Sequence, residues 1–98
     1  MARIANSNKH LEGLTSARFV HIPASNTDFV VRSTAGRLLR VVLNTNGGTV
    51  TLRNGDSEVI GIIASDAPEN TFNYGIFCPN GIQVDTGVTC DVTVVFSD

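Results

Sequence analysis

The run RLLRVVLNTNGGTVTLRN, residues 37–54, decides the class of fold. Leu39, Val41 and Leu43 alternate with Leu38, Arg40 and Val42, and beyond Asn44, Thr45, Asn46, Gly47 and Gly48 a second alternation sets Val50 and Leu52 against Thr49, Thr51 and Arg53. A period of two puts successive side chains on opposite faces of a strand, and a Gly-rich break between two such runs is turn chemistry. The expectation is two strands joined as a β-hairpin.

The same pattern extends in both directions. Upstream, RFVHIP (18–23) and DFVVRS (28–33) read as a pair of strands around Ala24, Ser25, Asn26 and Thr27, with Pro23 ending the first or marking it as an edge. Their inward parity is open: Val20 and Ile22 compete with Phe19, and Val30 with Phe29 and Val31. Downstream, Asn54, Gly55, Asp56 and Ser57 form a tight reversal. VIGIIA (59–64) is apolar on both parities, the pattern of a strand covered on both faces, and Gly61 in it allows a bulge or a close approach. Phe72, Tyr74 and Ile76 then alternate with Asn73, Gly75 and Phe77; Cys78, Pro79, Asn80 and Gly81 break the run; Ile82 and Val84 begin another, which Asp85, Thr86 and Gly87 turn back. In the last strand Val88, Cys90, Val92, Val94 and Phe96 point one way. The fold class is therefore all-β: a single antiparallel β-sandwich of about eight short strands over residues 18–98, with jelly-roll connectivity among the orders open to it.

At 98 residues the chain suits one domain with one two-layer core. Its charged share of 16% is low against about 25% for an average soluble domain, so much of the surface is Ser, Thr, Asn and Gly. All seven basic residues, Arg3, Lys9, Arg18, Arg32, Arg37, Arg40 and Arg53, precede Asn54, whereas seven of the nine acids follow it. Cross-strand pairing within one subunit is the favoured reading over a basic face meeting an acidic face on the next subunit. Scattered Arg residues without interleaved aromatics give no support to nucleic-acid binding. The two cysteines, Cys78 and Cys90, read as buried small hydrophobes, too few for a disulfide scaffold. The start MARIANSNKHLEG has no apolar h-region, and no stretch approaches a membrane span, so the expectation is folding in a reducing cytosol with no membrane partner.

Residues 1–17 are different in kind. Rich in Asn, Ser, Lys and His and without a sustained period, they hold only Ile4, Leu11 and Leu14 as apolar anchors. They read as an extended N-terminal arm that docks on a partner surface through Arg3, Ile4, Lys9, His10, Leu11 and Leu14.

Catalytic and ligand motifs are sparse. Ile82, Gln83, Val84, Asp85, Thr86 and Gly87 match the loop signature of aspartic proteases, whose mechanism needs two carboxylates sharing a proton at a dimer axis. That signature lies early in those proteases, and here only eleven residues follow Gly87, so a turn is the favoured reading. His10 and His21 have no partner at zinc-ligand spacing, no Ser sits in a nucleophile elbow, and Gly47 and Gly48 precede no helix that would make them a phosphate loop. Asp66, Glu69 and Asn70 read as a solvated loop before a weak Ca²⁺ site. With no Trp and one Tyr, Tyr74, of core parity, a stacking platform for sugars has little to build on. No cofactor, metal or catalytic residue is expected.

The run from Gly36 to Gly55, followed by Phe77, Cys78, Pro79, Asn80, Gly81, Ile82, Gln83 and Val84 and by a terminal Asp91, Val92, Thr93, Val94, Val95 and Phe96, resembles small tailed-phage virion proteins. In these a strand ending in Asn precedes a Gly-rich turn and Thr-Val-Thr, then come an Asn-Gly-Leu-x-Val strand and a last Asp-Val-Thr-Val-Val strand. The chain departs from that pattern at Arg53, Asn54 and Gly55 and in the Cys78–Pro79 pair. The resemblance implies a capsid decoration or cement protein, or a head-fibre base. Such a protein is non-enzymatic, bound to the major capsid protein at the virion surface, and homo-oligomeric, three-fold in preference to two-fold. The competing expectation is a receptor- or glycan-binding module of a tail fibre or spike.

Overall fold

The computed structural model describes residues 17–23 and 26–98. Eight strands follow in order: β1 (Arg18–Ile22), β2 (Phe29–Arg32), β3 (Gly36–Thr45), β4 (Val50–Asn54), β5 (Glu58–Ile63), β6 (Thr71–Cys78), β7 (Ile82–Asp85) and β8 (Asp91–Ser97). They form two antiparallel four-stranded sheets, β1-β8-β3-β6 and β2-β7-β4-β5. The order is that of a jelly roll. The β4–β5 hairpin is the tip of a long ribbon whose further rungs are β3–β6, β2–β7 and β1–β8, rolled up so that β3 meets β8 and β4 meets β7.

The inner faces enclose one core. Ile22, Leu38, Val41, Leu43, Cys78, Val92, Val94 and Phe96 come from the first sheet, and Val50, Leu52, Ile63, Ile82 and Val84 from the second. Each large aliphatic side chain so buried contributes about 1.5–3 kcal/mol by leaving water. Phe29, Val31, Phe72 and Tyr74 close the sides, and burial pushes the Tyr74 hydroxyl above its ordinary pKa.

Several local expectations change. The two strands of residues 37–54 are not a hairpin: β3 lies in one sheet and β4 in the other, and Leu38, Val41 and Leu43 face Val50 and Leu52 across the core. Likewise β1 and β2 do not pair, since β1 joins β8 and β2 joins β7. In both cases burial of the apolar faces against each other outweighs local pairing across a short turn. VIGIIA is not covered on both faces: β5 is an edge strand, and Val59 and Ile62 are exposed. Along β3 the inward parity is not constant. Leu39 is an extra residue between the β8 partners Phe96 and Val95, so Leu38 points in on one side of it and Val41 and Leu43 on the other. Val88 is exposed because β8 begins only at Asp91.

Other expectations stand. The reversal after β4 pairs Asn54 with Glu58 and has φ of 67° at Gly55. At Gly61 the register shifts, and a Cβ there would lie 3.2 Å from the Tyr74 ring. Cys78 and Cys90 are buried free thiols, and burial raises the pKa of Cys78.

Candidate functional site

All sheet-to-sheet crossings after odd-numbered strands sit at one end of the sandwich, here the crown. The connection 46–49 packs on 86–90 through glycine against glycine: a Cβ on Gly87 would lie 2.6 Å from the Gly48 Cα, and Cys90 Sγ lies 3.0 Å from the Gly48 carbonyl. Thr86 is buried; its N–H donates to the Asn26 carbonyl (2.8 Å), and the Asn26 N–H donates to Thr86 Oγ1 (2.9 Å). The Asn46 N–H donates to Glu69 (3.0 Å), Asn46 Nδ2 to the Ala67 carbonyl, and the Leu43 N–H to the Asn70 carbonyl (2.8 Å). Val88, 74% exposed, stands out from this crown.

The opposite end is the base. Arg18, where the chain enters β1, makes a two-pronged contact with both oxygens of Asp98 (2.7 Å each), and Arg32 reaches the same carboxylate (2.9 Å). The turns 33–35, 55–57 and 79–81 lie here, joined by bonds such as Gly55 N–H to the Gly81 carbonyl (2.9 Å) and Asn80 N–H to Asn54 Oδ1 (2.9 Å). The arm residues Arg3, Ile4, Lys9, His10, Leu11 and Leu14 lie outside the described residues; the chain that carries them joins the sandwich at the base.

Each outer face has one polar cluster. On the β2-β7-β4-β5 sheet, Arg53 Nη2 donates to Asp28 and to Asp85 (3.0 Å), and Arg53 Nη1 donates to the Asp56 carbonyl (3.1 Å). The bond to Asp28, reinforced by the charge of Asp85, holds the Arg53 pKa above its usual value. Asp28 takes a left-handed backbone (φ 55°), and its N–H donates to Asp85 Oδ1 (2.5 Å). Asp85 thus belongs to an arginine ion pair. The segment Asp85, Thr86 and Gly87 is a sheet-crossing connection and not a hairpin turn.

On the β1-β8-β3-β6 sheet, His21 Nε2 lies 2.7 Å from Asp91 Oδ1, and Asn44 Nδ2 donates to the same oxygen (3.0 Å) and to Thr93 Oγ1 (3.2 Å). The Asn44 bond first, and His21 second, lower the Asp91 pKa. Across this face the register aligns Phe19, Val95, Arg40 and Asn73, and beside them Arg37 stacks over Phe77 at 5.8 Å. Phe19 (73%) and Phe77 (53%) are largely exposed; for Phe19 the open parity of its strand hid this in the sequence.

The basic amino-terminal half and acidic carboxy-terminal half meet inside one subunit through Arg18 and Arg32 with Asp98, His21 with Asp91, and Arg53 with Asp85. The topology requires this, because β1 pairs with β8 and β2 with β7. Among the described residues no cleft or enclosed cavity opens, and no group of three or more His, Cys, Asp or Glu is placed to hold a metal ion. Comparison of the chain with protein-family models, curated proteins and solved structures finds no match.

Proposed function

We propose that this chain is a non-enzymatic structural protein of a tailed-phage virion, a knob that decorates or cements the capsid. The arm residues Arg3, Ile4, Lys9, His10, Leu11 and Leu14 contact the major capsid protein, and copies of the sandwich associate with one another at the virion surface. One observation carries this reading: the polarity of the jelly roll. The arm joins at Arg18, at the base, and the crown of connections lies at the far end. A protein held by its arm therefore offers the described residues 26–28 and the connections 46–49, 64–70 and 86–90 outward. The surface chemistry is compatible with this role, being low in charge and partly compensated within the subunit.

The test is attachment. In purified full particles the chain should be present in fixed proportion to the capsid protein, and deletion of residues 1–17 should release it while the circular dichroism of the sandwich persists. Undiminished attachment of the truncated chain would defeat the reading. A second role, binding of a receptor or glycan by a tail fibre, is favoured by the outward crown with exposed Val88; glycan-array binding lost on substitution in 86–90, with the chain located on the tail, would select it.

A further inference from the structure

A jelly roll has four sheet edges, and the four here are not alike. The edges are β1 and β6 in one sheet and β2 and β5 in the other. An exposed edge is a template for another strand, and proteins blunt it with bulges that break the regular row of free backbone groups. Three of these edges are blunted. In β2 the register slips between Val30 and Arg32; in β5 Ile60 is extra against the Leu52–Arg53 step; in β6 Tyr74 and Gly75 together oppose Leu39, with Gly75 at φ 68°. The fourth, β1, runs in unbroken register with β8 over all five pairs, from Arg18 opposite Phe96 to Ile22 opposite Val92.

This straight edge also carries Phe19, which at 73% is more exposed than any other large hydrophobic residue in the described strands. Its charges are already met: Arg18 is held by Asp98, and His21 lies against Asp91. A second strand laid beside β1 therefore meets no uncompensated charge.

We propose that β1 pairs antiparallel with β1 of a second copy, joining two sandwiches through a continuous eight-stranded sheet. The strand is self-complementary in that arrangement. With Val20 on the two-fold axis, Phe19 lies opposite the partner's His21 on the outer face, and Arg18 lies opposite the partner's Ile22, so no like charges face each other. Antiparallel pairing is what a two-fold axis generates, and it closes on itself, so the contact stops at two chains. The two Arg18 residues, where the chain enters β1, then lie at opposite ends of the seam. This edge favours two-fold association over the three-fold order that the family resemblance implies.

The proposal concerns the purified chain and does not depend on any particle. Native mass spectrometry and light scattering of the full-length chain should give the mass of two chains, and Phe19→Lys, which puts a charge on the seam at a solvent-facing position, should halve it. Phe77→Lys, on the same face but at the opposite, bulged edge, should leave two chains. Val20→Cys should form an intermolecular disulfide on mild oxidation, since the two Val20 positions meet at the axis. A single chain in the unmodified protein, a mass of three chains, or two chains that survive Phe19→Lys but not Phe77→Lys would each overturn the proposal.

Discussion

At the scale of single residues, Asp91 is the clearest case of a charge set by its neighbours. Its carboxylate accepts from Asn44 and lies against His21, and the Asn44 bond is the larger cause of its lowered pKa. A carboxylate whose folded pKa lies below the ordinary value of about 3.9 stabilises the fold above that pH, and the contribution is lost as pH falls through the folded value. Asn44→Ala should therefore raise the titration of the Asp91 carboxyl carbon toward the ordinary range, as followed by NMR, and move acid unfolding to higher pH. An unchanged titration would mean that Asn44 is not the cause. The sequence announced such pairs only in outline. Bases before Asn54 and acids after it implied internal pairing, but which base meets which acid depends on strand order. Asn44, an uncharged residue, left no signal of its role.

At the scale of elements, alternation was legible and register was not. The strands of residues 82–85 and 91–97 read directly from their period of two, because Ile82, Val84, Val92, Val94 and Phe96 all point inward without interruption. β3 was harder: Leu38 and Leu39 are equally apolar, and the bulge that selects Leu38 for the core is made with β8, more than fifty residues away in sequence. β5 misled for a related reason. Ile62 and Val59 point outward from an edge, and the apolar content of both its faces imitates a central strand. Gly47, Gly48 and Gly87 looked like turn formers, yet all three are spacers between crossing connections. Gly87→Ala should lower stability by about 1–3 kcal/mol, the usual range for forcing an atom into a packed site, measured by urea unfolding. The Cβ would meet the Gly48 backbone, which has no side chain to swing away.

At the scale of the molecule, the class of fold followed from eight evenly spaced apolar alternations, whereas the strand order did not. Short connections suggested hairpins at 44–48 and 24–27, and only the need to bury both apolar faces sends each following strand to the other sheet. The arm residues proposed for attachment lie outside the described part, so the whole-molecule contribution is the place where they join. Rungs such as β1–β8 and β2–β7 join distant parts of the chain. Closing such loops before their contacts form slows folding, and refolding should take about milliseconds to seconds in stopped-flow fluorescence of Tyr74, well behind a helical protein of equal size. The separation of base from crown also gives the protein a mechanical grain. Tension between the arm and the crown runs along the strands and strains the rungs of β1–β8 together, since backbone bonds in an antiparallel ladder lie across the strands. Tension between Arg18 and Asp98, both at the base, would instead peel β1 from β8 one rung at a time, so the sandwich resists being dragged off by its crown far better than being unzipped from its foot.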